Sequence, residues 1–124
     1  MKPSHLLFAL TLMPFIVFSQ KYKKRTAEEK ARFYTDEMIK ELSLDSATSQ
    51  KVFGVNLYVS KKFDSLYATT EGSDDKRKGA VFIYKKRDSL FKEVLSKKEY
   101  LKYDDLQREK REKKKTEAEK LKND

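Results

Sequence analysis

The sequence predicts an all-α protein: an extended antiparallel helical hairpin of about four helices. Three observations predict it. From residue 20 onward there is no proline, because Pro3 and Pro14 both lie earlier, and the only glycines are Gly54, Gly72 and Gly79. Those two residue types are the strongest helix breakers, so their scarcity leaves long stretches free to coil. Apolar residues then recur at spacings of three and four, the period of a helix with one buried face. Finally, residues that accept hydrogen bonds from free helix amides stand just ahead of each periodic run.

The first helix is expected over residues 26–42. Thr26 and Glu29 form a capping box, and Ala27, Ala31, Tyr34, Met38 and Leu42 make its apolar stripe. The second, over 46–70, is capped by Asp45 and carries Val52, Val55, Val59, Phe63 and Leu66, with Gly72 supplying the break after it. The third, over 74–95, is capped by Ser73 or Asp74 and buries Ala80, Ile83, Tyr84, Phe91, Val94 and Leu95. Ser96 caps the fourth, over 97–121, with Glu99 as its capping-box partner and Tyr100, Tyr103 and Leu106 facing inward. From about residue 108 that helix loses its apolar face and becomes a charged, solvated tail. Pairs four residues apart, such as Glu109/Lys113, support it by a few tenths of a kcal/mol each.

At 1.5 Å per residue, the second helix is on the order of 37 Å long. Helices of that length with one narrow stripe each make a thin layer with much surface uncovered. Such a layer gains by pairing with a second copy, and a homodimer is expected.

The first nineteen residues read as a signal peptide. Lys2 supplies the positive start, Leu6 to Phe18 is apolar apart from Thr11 and Pro14, and Ser19 offers the small residue before a cut near Ser19/Gln20. The apolar run of about 13 residues is short against the ~20 that a bilayer core requires, so no membrane anchor is expected. The chain has no cysteine, which removes a lipid-anchored form and a disulfide framework. Export would leave residues 20–124 as a single helical domain, periplasmic or secreted. Of 29 basic residues only Lys2 is lost, leaving 28 against 20 acidic ones, a net side-chain charge of +8.

The one histidine, His5, leaves with the leader. Neutral-pH acid–base catalysis and soft metal sites thereby lose their usual residues, and no phosphate loop or nucleophile elbow is present. No enzymatic activity, cofactor or metal site is expected.

Each of the first three helices carries apolar residues off its stripe. Phe33 falls opposite Ala31, Phe53 and Leu57 lie 100–140° from Val52 at ~100° per residue, and Phe82 falls nearly opposite Ala80. These four, rimmed by Lys61, Lys62, Lys85 and Lys86, are the candidate binding residues. Arg87, by contrast, falls inside the third stripe. It is expected to meet a carboxylate of another helix or to reach solvent past an aromatic edge.

A helix–cap–helix corner occurs twice. Leu44-Asp45-Ser46-Ala47-Thr48 and Leu95-Ser96-Lys97-Lys98-Glu99 each place a leucine, a capping residue and the first turn of the next helix in series. Val52 and Val55 then correspond in register to Tyr103 and Leu106. Together with Met38 to Leu44 before the first corner and Arg87 to Tyr103 around the second, this resembles the paired L-T-x-x-Q motif of the Spy/CpxP family of periplasmic proteins. The resemblance spans roughly Thr35 to Leu106. Asp45 and Ser96 stand where the motif has threonine, and Thr48 and Glu99 where it has glutamine. The resemblance implies a cradle-shaped helical hairpin that dimerises through its long helices. It also implies either an ATP-independent chaperone or a sensor of envelope or metal stress. Metal-sensing members use His-rich or Met-rich segments, whereas residues 20–124 hold no His and only Met38.

The function expected is a holdase-type chaperone of the cell envelope that takes unfolded or partly folded proteins as partners. A basic surface attracts such chains over about 8–10 Å, and off-stripe rings add weak apolar contact. The alternative is an envelope-stress regulator docking on a membrane sensor protein. Binding to DNA or another polyanion ranks third, since acidic residues interspersed throughout blunt any phosphate-tracking groove.

Overall fold

The structure, a computed structural model, describes residues 23–123. The signal peptide read in residues 1–19 lies outside them. The described residues are all-helical: α1 is Ala27–Leu42, α2 Ser46–Thr69, α3 Ser73–Val94 and α4 Lys97–Asn123. Each helix lies within two residues of its expected bounds.

The starts follow from local chemistry. Thr26 Oγ1 accepts from the Glu29 amide at 3.2 Å while the Glu29 carboxylate accepts from the Thr26 amide at 3.0 Å, closing the expected box. Asp45 Oδ1 accepts from the Thr48 amide at 2.7 Å. Ser96 and Glu99 form the second reciprocal box, at 2.8 and 3.2 Å. At α3 the expectation fails. Gly72 is the N-cap, without a side-chain bond, and Ser73 is already helical. Asp74 and Asp75 in the first turn instead place negative charge against the free amides. α1 ends through Ser43, which takes the left-handed conformation at φ 53°.

α1 runs antiparallel to α2, and α3 runs antiparallel to the other side of α2. Lys30 of α1 meets Asp64 near the far end of α2 at 2.5 Å, and Asn56 meets Thr35 halfway along. Phe63 of α2 meets Tyr84 of α3, with ring centroids 5.1 Å apart. The backbones of α1 and α3 do not approach each other closely. α4 crosses the open end, where Tyr103 packs edge-on against Phe91 at 5.0 Å and Lys110 reaches Glu41 of α1 at 3.1 Å.

The core is therefore thickest where both corners converge. Leu42, Leu44, Val52, Phe91, Leu95 and Tyr103 are buried there. The two corner leucines occupy equivalent places, and eight residues beyond each stands a buried side chain, Val52 or Tyr103. Toward the α2–α3 turn the layer thins, and Phe63 and Leu66 are only half-buried.

Two stripe assignments need correcting. In α1, Tyr34 is 50% exposed and Thr35 is buried in its stead. Thr35 is tolerated there because its hydroxyl donates to the Ala31 carbonyl at 2.7 Å and accepts from the Asn56 side-chain amide at 3.0 Å. In α3, Tyr84 is 46% exposed, turned to the edge, where it meets Phe63 and lies under the Arg87 guanidinium.

Candidate docking surface

The candidate binding residues divide between two places. Phe33 of α1 is 44% exposed, with the Arg25 guanidinium 5.0 Å from its ring centroid. Phe53 of α2 is half-buried, under Arg32 of α1 at 5.3 Å. Leu57, one turn further along α2, is also half-buried. These side chains belong to the α1 side of the layer. Phe82 stands on α3, with α2 between that helix and α1, and at 71% exposure it is the most open of the rings. The eight residues thus do not form one continuous patch.

Lys61, Lys62, Lys85 and Lys86 are all exposed. Two of them lie beside a feature that the periodicity did not single out, an open groove of about 440 Å³ between α2 and α3. Its lining is Lys51, Gly54, Val55, Tyr58, Lys86, Leu90 and Val94. Lys86 forms part of one wall, and Lys62 lies over the Tyr58 ring at 5.5 Å. Phe82 precedes Lys86 by four residues and so continues the α3 wall toward the hairpin turn. The spacing Lys51, Gly54 or Val55, Tyr58 and Lys62 was available in the sequence. Apolar spacing alone does not reveal it, because lysine and glycine hold several of its positions.

Arg87 is 17% exposed and does find a carboxylate, but the neighbouring Asp88 of its own helix, at 3.0 Å, rather than one from another helix. The same carboxylate oxygen accepts from the Tyr103 hydroxyl at 2.9 Å. The guanidinium also lies 4.7 Å from the Tyr84 ring and 5.8 Å from that of Tyr103. Burial holds the Tyr103 hydroxyl protonated far into the alkaline range, as a donor to Asp88 requires. This cluster ties α4 to α3.

Leu44, Asp45, Leu95, Ser96 and Glu99 all serve the two corners: the leucines fill the core and the other three cap helices. The Thr48 amide, and after it the Thr48 hydroxyl, holds the Asp45 carboxyl below its ordinary value of 3.8. Among the described residues no helix is long and apolar enough to cross a membrane. No group of three or more metal-ligating side chains comes together among them. Comparison with protein-family models, curated proteins and solved structures found no match.

Proposed function

We propose that this chain is an ATP-independent holdase-type chaperone of the cell envelope, exported by the leader read in residues 1–19. It is proposed to work as a cradle-like dimer similar to Spy/CpxP proteins. The carrying observation is that surface aromatic rings are held beside cations. Arg25 lies over Phe33, Arg32 over Phe53 and Lys62 over Tyr58, while Phe82 stands open near Lys85 and Lys86. Such pairs give adaptable contact to an unfolded chain: the charge draws in carboxylates, and the ring offers apolar area without demanding one shape. The thin layer supports the dimer, because helices of this length with one narrow stripe each leave much surface for a second copy to cover.

The test is light scattering of a thermally aggregating client protein, with and without residues 20–124. Suppression near equimolar ratio, without nucleotide, is the expected result. No suppression, together with co-purification on a membrane sensor protein, would move the assignment to a stress regulator. A DNA mobility shift without suppression would move it to polyanion binding.

A further inference from the structure

The α2–α3 groove has a property that the fold itself does not account for. Gly54 sits inside the first half of the 24-residue α2, and a Cβ placed on it would meet no atom within 4 Å. A glycine there costs α2 about 0.5–1 kcal/mol relative to alanine, with no compensating contact inside the chain. What it does provide is bare, exposed backbone in the groove lining, beside the half-buried Leu90 and Val94 and above the buried Val55. Another backbone can approach such a surface closely. The two charged side chains of the lining are Lys51 from α2 and Lys86 from α3, one on each wall, and no carboxylate lines it. Lys51 to Tyr58 covers two helical turns, about 10 Å at 1.5 Å per residue.

We propose that this groove docks an acidic amphipathic helix of a partner protein. Its apolar anchors, at i, i+4 and i+7, seat over Gly54 and against Leu90 and Val94, and its flanking carboxylates meet Lys51 and Lys86. A second copy of this chain is the poorer occupant. A two-fold axis laying groove on groove would set lysines against lysines, and like charges oppose such pairing. The proposal rests on the reading that this chain binds other proteins, and it names the chemistry of the segment bound.

The test uses residues 20–124 and a fluorescein-labelled helical peptide with leucines at i, i+4 and i+7 flanked by glutamates. Its counterpart keeps the leucines and carries lysines. Anisotropy titration is expected to show the acidic peptide binding at least about tenfold tighter, with Gly54→Leu weakening it about tenfold by filling the groove. Because the whole chain is basic, a charge control is included. Lys51→Glu with Lys86→Glu should abolish the preference, whereas Lys113→Glu with Lys114→Glu on the exposed part of α4, an equal change in charge, should preserve it. Should Gly54→Leu fail to fold, the two charge pairs decide alone. Equal loss in both charge pairs, or a folded Gly54→Leu protein that binds unchanged, overturns the proposal. So does a dimer that Gly54→Leu converts to monomers, since the occupant is then a second copy. The client-scattering assay on the same proteins separates the two readings. A wild-type chain that binds the peptide at the groove but suppresses no aggregation keeps the groove and removes the chaperone. A Gly54→Leu chain that loses the peptide but still suppresses aggregation keeps both, with client holding placed elsewhere.

Discussion

Asp45 and Ser96 do the same task at the two corners with different chemistry, and that difference is measurable. Ser96→Ala removes the hydroxyl that accepts the Glu99 amide and is expected to cost about 1 kcal/mol at any pH, read from urea denaturation. The Asp45 cap depends on ionisation. Its carboxyl is held below 3.8 when folded, chiefly by the Thr48 amide. Its contribution is therefore complete above that ordinary value and is lost as pH falls through the lower folded one. Asp45→Asn keeps an oxygen acceptor but has nothing to titrate. Its stability should match wild type near neutral pH, and the wild-type loss assignable to Asp45 on acidification below its ordinary value of 3.8 should vanish. An unchanged acid limb in the variant would mean that other carboxylates carry it.

At the level of helices, the two helical glycines make opposite predictions. Gly54 has open space above it, so Gly54→Ala should stabilise the chain by about 1 kcal/mol, seen as a higher urea midpoint with unchanged slope. A Cβ on Gly79 would run into the Leu66 side chain of α2. Gly79→Ala should therefore forfeit that gain to steric conflict and show no stabilisation. The α1–α2 pair offers a second test. Thr35→Val leaves the buried Asn56 amide without its 3.0 Å partner and should cost about 1–3 kcal/mol. Changing Asn56→Leu as well should recover most of it, because removing both partners of a buried bond is far cheaper than removing one. Additive losses in the double-mutant cycle would show that the two side chains do not act as a pair.

Over the whole molecule, charge and thinness govern behaviour together. The formal net charge is +9, and cations sit beside the open rings of the α1 side and the groove. If clients are first drawn by charge, association should slow strongly between low salt and about 1 M salt, where the Debye length falls to ~3 Å. Release should change much less, since apolar contact governs how long an encounter lasts. Stopped-flow fluorescence with a labelled client separates the two rates, and a salt-independent association rate would remove the electrostatic half of the mechanism. From Arg108 to Asn123 the side chains of α4 are exposed, with Lys110 reaching back to Glu41 of α1.

The sequence by itself determined the helices and, apart from the N-cap of α3, where they begin and end. Capping boxes at Thr26 and Ser96, the Asp45 cap and the three-and-four spacing act within one or two turns, so they are legible without neighbours. It also determined the doubled corner: Leu44 and Leu95 are followed at equal distance by Val52 and Tyr103, and all four are buried. What only the tertiary structure decided depends on who lies opposite. Thr35 replaces Tyr34 in the core because Asn56 of α2 stands across from it, a pairing 21 residues apart in the chain. Arg87 is accommodated by Asp88 and two tyrosine rings that arrive from different turns and a different helix. The candidate rings separate into two places because α2 lies between α1 and α3, which helical periodicity cannot express. Gly54 and Gly79 look alike in sequence, and only the packing of α2 and α3 makes one a close contact and the other an open part of the groove lining. Local hydrogen bonding and side-chain period fix each helix, while the relative placement of the helices fixes which of their faces remain available to a partner.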